Sequence, residues 1–252
     1  MKPSATPPGM QTIFGLHPVR FLLERHPERV ARVRIAERRE DVRVRELEAL
    51  ARRHRITVER VDAQALRQEA GEQAHQGVLA EVLAQPPWTE EQLLEALRTA
   101  EAPLLLALDG VQDPHNLGAC LRSADACGAL AVIVPRDRAV HVTPAVRKVA
   151  AGAAETTPVV VVTNLVRTLK LLKDAGLWIV GADAGGAKRP QEVDLTGGIV
   201  LVLGAEGGGM RQLTRQSCDW IVALPQRGAV ESLNVSVATG MLLYEALRQR
   251  HP

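Results

Sequence analysis

The chain has 252 residues, 46% of them hydrophobic, with 31 basic and 29 acidic side chains. This is a globular composition, long enough for one large domain or for two, and no apolar run approaches the ~20 residues of a membrane span. Cys120, Cys127 and Cys218 have no CxxC spacing, which argues against a disulfide framework or a zinc site and fits a reducing cytosol. Two Phe, three Trp and one Tyr are too few for base stacking to be the main means of holding RNA.

Residues 1–11 read as a disordered tail, since Met1–Met10 holds three prolines and no apolar stretch of the kind a signal peptide needs. Residues 12–84 read as a small α/β domain. Arg20-Phe21-Leu22-Leu23 begins an amphipathic helix, and Arg32–Ala36 alternates polar and apolar residues as an exposed strand does. Glu46–His54 is helical, Ile56–Val61 a strand, Val61–Gln68 helical and Val78–Val82 a third strand. Between Arg20 and Arg60 stand thirteen arginines against eight acidic residues. Two readings stay open for them: a basic surface that tracks a phosphate backbone, or a solvated face laced with ion pairs such as Arg20 with Glu24. Gln85-Pro86-Pro87-Trp88 breaks the pattern, and residues 85–102 read as a linker with a short helix. Thr89-Glu90-Glu91-Gln92 forms the capping box of that helix.

Residues 103–252 read as an α/β domain with a parallel sheet. Short apolar runs at Leu104–Leu108, Leu130–Val134, Val159–Val162, Leu177–Val180, Ile199–Leu203 and Ile221–Leu224 alternate with helical stretches. The runs are apolar on both faces, as strands covered on each side must be. The helices are expected at Asn116–Cys127, Thr143–Ala154, Asn164–Ala175 and Gly209–Gln216, with a last long one after Asn234.

Open parallel sheets bind ligands at the carboxyl ends of their strands, and three such ends carry polar residues. After the first strand comes Asp109-Gly110-Val111-Gln112-Asp113-Pro114-His115-Asn116-Leu117-Gly118. Here Asn116 is expected to cap a helix, Gly118 and Ala119 to allow close backbone approach, and Arg122 to lie on the helix flank. An arginine there suits a phosphate or carboxylate partner, or pairs with Asp109 or Asp125 for structure alone. After Ile199–Leu203 comes Gly204-Ala205-Glu206-Gly207-Gly208-Gly209-Met210. It is neither GxGxxG nor a Walker loop, and the carboxylate of Glu206 would repel a pyrophosphate, so a nucleoside ligand fits better. The last is Leu224-Pro225 through Gly228, Glu231, Ser232, Leu233 and Asn234 into the final helix, which reads either as a capped helix start or as the wall of a ligand site. The Gly204 loop and this turn are expected on adjacent strands. His17, His75, His115 and His141 have no metal-ligand spacing, so no metal is expected.

Taken in order, Asp109-Gly110-Val111-x-Asp113-Pro114-x-Asn116-x-Gly118-x-x-x-Arg122, Gly204-x-Glu206-Gly207-x-Gly209-Met210 and Leu224-Pro225-x-x-Gly228-x-x-Glu231-Ser232-Leu233-Asn234-Val235-Ser236-Val237-Ala238 resemble the three motifs of the SpoU (TrmH-type) family of RNA ribose 2′-O-methyltransferases. Phe14–Val19 and His75–Val78 look like the ends of that family's N-terminal RNA-binding domain. Leu121–Asp125, Val134–Arg138, Lys148–Glu155 and Val162–Leu165 look closest to members acting on a guanosine of large-subunit rRNA. The resemblance implies S-adenosylmethionine as cofactor, contacted at Gly204, Leu224 and Leu233. It also implies a catalytic and substrate set of Arg122, Asn116, Glu206, Ser232 and Asn234. It further implies a deep C-terminal trefoil knot, an exception to the rule that chains do not thread loops. A homodimer through the knot domain and a cytoplasmic location complete it.

Arginine stays protonated in proteins, so Arg122 is expected to bind phosphate and stabilise a developing alkoxide rather than act as base. Asn116 and Glu206 would orient it, and Asn234 would help place the ribose. Two other readings stay open at this stage, an RNA chaperone that keeps the fold without the chemistry and a nucleotide-dependent Rossmann enzyme. A related tRNA methyltransferase is the alternative within the family.

Overall fold

A computed structural model describes residues 9–70, 75–84, 86–229 and 232–251. The chain divides into two units, Met1–Pro86 and Pro87–Pro252. Most of the expected tail lies outside the described residues. Where description begins, the chain enters a strand at Met10, inside the stretch expected as tail.

The first unit runs β1 (Met10–Phe14), α1 (Leu16–Arg25), β2 (Val30–Ala36), α2 (Val42–Arg53), β3 (Thr57–Val61), α3 (Ala63–Ala70) and β4 (Val78–Leu83). Its sheet has the order β1-β4-β2-β3, with β2 and β3 parallel and the other pairs antiparallel. β2 is therefore an inner strand, not the exposed one its alternation predicts. Val33 and Ile35 are fully buried and pack with Leu22 of α1 and Leu47 of α2. The arginines between them point to the other face and are paired there. Arg32 reaches Glu59 (3.2 Å) and Glu81 (2.7 Å), while Arg34 reaches Glu69 (2.6 Å) and Glu81. Burial alone would raise the Glu81 carboxyl, but the two guanidiniums outweigh it and hold it below its ordinary value. Alternation thus reported two faces correctly and the solvent wrongly.

The ion-pair reading of the arginine-rich stretch describes part of it. Arg20, Arg32, Arg34, Arg39, Arg52 and Arg60 are in ion pairs. Arg25, Arg38, Arg43, Arg53 and Arg55 are exposed, and their side chains make no hydrogen bond or ion pair among the described residues.

The second unit runs α4 (Glu90–Leu97), β5 (Leu104–Asp109), α5 (Pro114–Ala126), β6 (Ala131–Pro135), α6 (Pro144–Ala150), α7 (Ala153–Thr156), β7 (Val159–Val162) and α8 (Leu165–Asp174). It continues with β8 (Trp178–Ala182), β9 (Ile199–Gly204), α9 (Gln212–Gln216), β10 (Trp220–Val222) and α10 (Val235–Arg250). All six apolar runs become strands, and every pairing between them is parallel. Alternate residues of β5 feed the two cores. Leu104, Leu106 and Leu108 pack with residues of α5, α6 and α10. Leu105 and Ala107 pack with α8 on the other face, joined there by Leu93 of α4. The segment that reads as a linker thus supplies a fully buried side chain to this unit, and its capping box forms between Thr89 and Gln92.

The sheet order is β10-β8-β9-β5-β6-β7. β8 stands between β9 and β10, so the Gly204 loop and the Leu224 turn do not leave adjacent strands. Periodicity finds strands but not their neighbours, and the expectation of adjacency is corrected here. The expected single helix Thr143–Ala154 is broken into α6 and α7 by left-handed residues at Ala151 (φ 52°) and Gly152 (φ 103°).

Gly118 also has a different reason from the one expected. The close approach it permits is between helices: a Cβ there would stand 2.6 Å from Val149 Cβ and 2.9 Å from the Val146 carbonyl oxygen on α6. Overpacking a core contact costs about 1–3 kcal/mol, against about 1 kcal/mol that alanine gains over glycine in a helix. Gly118→Ala is expected to lower stability by roughly 1–2 kcal/mol, measured by urea unfolding. A variant as stable as the native protein would show that α6 yields freely.

Candidate active site

The helix that follows β5 begins one turn earlier than the sequence suggests. Asp113 is the N-cap, its carboxylate accepting from the His115 N–H at 2.9 Å, and Pro114 takes the first helical position. Asn116 is therefore not the cap. It lies in the first turn of α5 with its side chain buried. Arg122, further along α5, is exposed, and its guanidinium makes no hydrogen bond or ion pair among the described residues. The two acids that might have held it are otherwise engaged. Asp109 faces Arg211, and Asp125 accepts from the hydroxyls of Thr156 and Thr157.

The glycine loop closes on itself. The Ala205 N–H donates to the Gly209 carbonyl at 3.2 Å and the Gly209 N–H to the Ala205 carbonyl at 2.9 Å, with Gly207 and Gly209 at positive φ. At its root the chain passes so near itself that a Cβ on Gly204 would lie 1.9 Å from the Gly209 carbonyl carbon. Only glycine fits there. The loop carries Glu206 on its exposed outer side.

After β10 the chain runs through half-buried Leu224, which packs on the α5 side of the core, and exposed Pro225–Ala229. Glu231, one of the motif residues, lies outside the described residues. Ser232 is exposed, Leu233 half-buried, and Asn234 caps α10. The Asn234 side-chain oxygen accepts from the Ser236 N–H (2.9 Å) and hydroxyl (2.6 Å). Its amide nitrogen donates to the Asn116 side-chain oxygen at 3.0 Å and to a carboxylate oxygen of Glu206. A primary amide offers two donors and two acceptor positions; all four are used.

Three of the five residues expected as the catalytic set, Asn116, Glu206 and Asn234, thus meet at one amide, although 118 residues separate the first from the last. The expected arrangement in which Asn116 and Glu206 orient Arg122 is not the one found. They hold Asn234, while the side chains of Arg122 and Ser232 are exposed and bonded to none of the described residues. Of the residues expected at the cofactor, Gly204 ends β9, Leu224 follows β10, and Leu233 adjoins the cap.

Because β8 lies between β9 and β10, the loop after β8 belongs to the same end of the sheet, and sequence reading passed over it. The backbone of Gly186 lies against Val222 and Ala223, where a Cβ would stand 2.5 Å from the Val222 carbonyl carbon. The Ala223 N–H donates to the Lys188 carbonyl at 2.8 Å. The signal was present as Asp183-Ala184-Gly185-Gly186, a fourth apolar run ending in an acid and two glycines. Among the described residues no group of three or more His, Cys, Asp or Glu could hold a metal ion, and no helix is long and apolar enough to cross a membrane.

Asn234→Asp keeps an oxygen for the cap and turns the donor facing Glu206 into a second carboxylate. Two carboxylates in contact raise one of their pKa values above the unfolded value, so the variant's stability is lost as pH rises through that value. Its melting temperature is expected near the native one at pH 4 and about 2–4 °C below it at pH 8, a small shift because the pair is exposed. A pH-independent offset would show that the bridge to Glu206 does not form in solution.

The family model of the SpoU rRNA Methylase family matches residues 103–244, and that for RNA 2'-O ribose methyltransferase substrate binding matches residues 12–88. The 23S rRNA (guanosine-2'-O-)-methyltransferase RlmB of Pseudomonas syringae pv. tomato is 54% identical over 245 residues, 96% of each chain. That of Coxiella burnetii is 49% identical over 242 residues, again 96% of each chain. Among solved structures, the SpoU methyltransferase AviRb from Streptomyces viridochromogenes, in complex with AdoMet, matches with a TM-score of 0.75 at 26% identity. The match covers 96% of this chain and 91% of that one. With the family model covering more than half its length and relatives about 50% identical over nearly the whole chain, the chain belongs to the SpoU rRNA methylase family.

Proposed function

We propose that this protein transfers the methyl group of S-adenosylmethionine to the ribose 2′-hydroxyl of a guanosine in 23S rRNA. The observation that carries the reading is the 54% identity to an RlmB over both units rather than over the methylase unit alone. The residues present fit the cofactor. Gly204 leaves no side chain at the crossing of the glycine loop, and Gly207 and Gly208 have open space where a Cβ would be. The one charge on the loop, Glu206, suits a sulfonium nucleoside and opposes a pyrophosphate. Bound S-adenosylmethionine supplies an electrophilic methyl group, and Gly204, Leu224 and Leu233 would hold it, largely through main chain.

The protein's own part is to bring a weak nucleophile into line and to stabilise the charge that develops on it. Arg122, exposed and unpaired among the described residues, is available to a phosphate of the target and to the developing alkoxide; a guanidinium cannot serve as base. Ser232 is likewise free to meet the ribose. Asn234 is a positioning residue in this reading, because its amide is saturated by Ser236, Asn116 and Glu206 and holds the three motifs in place. The first unit is the RNA-binding domain of residues 12–84, and the unpaired Arg25, Arg38, Arg43, Arg53 and Arg55 are its candidate phosphate contacts.

The finer features follow the same reading. A trefoil knot is supported by the clasp around the end of α10. The Gln249 side-chain amide donates to the carbonyls of Pro190 and Val193, and the Arg250 guanidinium to those of Leu195, Gly197 and Ala102. A homodimer is supported by exposed Val237, Met241 and Tyr244, which recur along one side of α10. A cytoplasmic location follows from the substrate.

The test is transfer of tritium from labelled S-adenosylmethionine to 23S rRNA, with the modified nucleotide mapped afterwards. The native protein is expected to label one guanosine ribose. Gly204→Ala, which forces the loop apart, is expected to weaken S-adenosylmethionine binding at least tenfold, about 1.4 kcal/mol. Tight RNA binding without transfer would favour a chaperone role instead.

A further inference from the structure

The carboxylate of Asp109 is fully buried at the carboxyl end of β5, the strand between β9 and β6. A buried charge there must be compensated, and an apolar side chain would serve the sheet at least as well. The compensation comes from one residue of another loop. The Arg211 N–H donates to Asp109 Oδ2 at 2.8 Å, and Arg211 Nε stands 3.4 Å from Oδ1, which has no hydrogen bond among the described residues. The guanidinium lies over Gly110, its Nη2 3.4 Å from where a Cβ would be.

The value of this pair lies in what it joins. Asp109 and Gly204 are register partners across β5 and β9, and Arg211 directly follows Met210, the far end of the glycine loop. Both ends of the loop that carries Glu206 therefore meet Asp109, one through strand pairing and the other through its side chain. On its other side Asp109 leads through Gly110 to α5 and Asn116.

We infer that Asp109 and Arg211 are positioning residues for methyl transfer, fixing the Glu206 loop against α5 so that Glu206 and Asn116 meet at Asn234. Asp109 opens the first motif and Arg211 follows the second, but neither is in the catalytic or cofactor set that the resemblance implies. The inference rests on the methyl-transfer reading for its kinetic test and on geometry alone for its second test.

Arg211→Ala keeps the backbone N–H but removes the cation beside the buried carboxylate, so the variant is expected to fold with a melting temperature lowered by about 4–10 °C, and its kinetics are read well below that temperature. Its kcat at saturating rRNA and cofactor should fall about tenfold, with KM for rRNA within about twofold. Arg211→Lys, which returns a cation beside the carboxylate, should recover most of the loss. Asp109→Asn combined with Arg211→Ala should be no slower than the worse single variant, as expected of one coupled pair. Hydrogen exchange at the Ala205 and Gly209 amides needs no turnover and should quicken about tenfold in Arg211→Ala. An unchanged kcat, a loss confined to KM for rRNA, or additive losses in the double variant would overturn the inference, as would unchanged exchange. If the native protein transfers no methyl group while exchange quickens as expected, the methyl-transfer reading fails and the clamp on the loop stands.

Discussion

The amide of Asn234 is the point on which the site depends. Its oxygen ends a helix and its nitrogen joins two loops, and neither task leaves capacity for another. A primary amide is suited to this because it presents two donors and two acceptor positions on one rigid plane. A carboxylate would repel Glu206, and a hydroxyl could not reach Asn116 and Glu206 while capping α10. The arrangement also explains the absence of an evident base or nucleophile among the joined residues. They give shape to the site, while the groups left free, Arg122 and Ser232, lie where a substrate could meet them.

Much of this was legible in the residues. The six apolar runs of the second unit are strands because Val, Ile and Leu on both faces need cover on both faces, and only a parallel sheet between helices supplies it. The three motif stretches fall at carboxyl ends of strands, where parallel sheets leave a crevice. What was not legible is pairing at a distance. Nothing local in Trp178–Ala182 says that it sits between β9 and β10, so the loop at Asp183–Lys188 escaped notice. The arginines of β2 were read as wet because their partners Glu69 and Glu81 lie 35 and 47 residues beyond Arg34.

Two glycines show how one residue type carries different constraints. Gly118 is small because α6 crosses it, which is a matter of packing between helices. Gly204 is small because its own loop returns across it, which is a matter of backbone against backbone. Spacing within a motif marks both positions in the same way, and only the neighbours distinguish them. The same holds for Asn116, whose place near a helix start suggested a cap, although Asp113 and Pro114 had already started the helix.

The cap on α10 has a consequence beyond the site. Val237, in the first turn that Asn234 caps, is half exposed. Fraying of that turn would move Asn234, which caps it, and so disturb the Asn116–Asn234–Glu206 junction as well. Any surface that covers Val237 and steadies the turn also steadies the junction, and any ligand that needs the junction tightens the turn in equal measure. A partner that covers this turn and a ligand that needs the junction would then be linked through one turn of backbone.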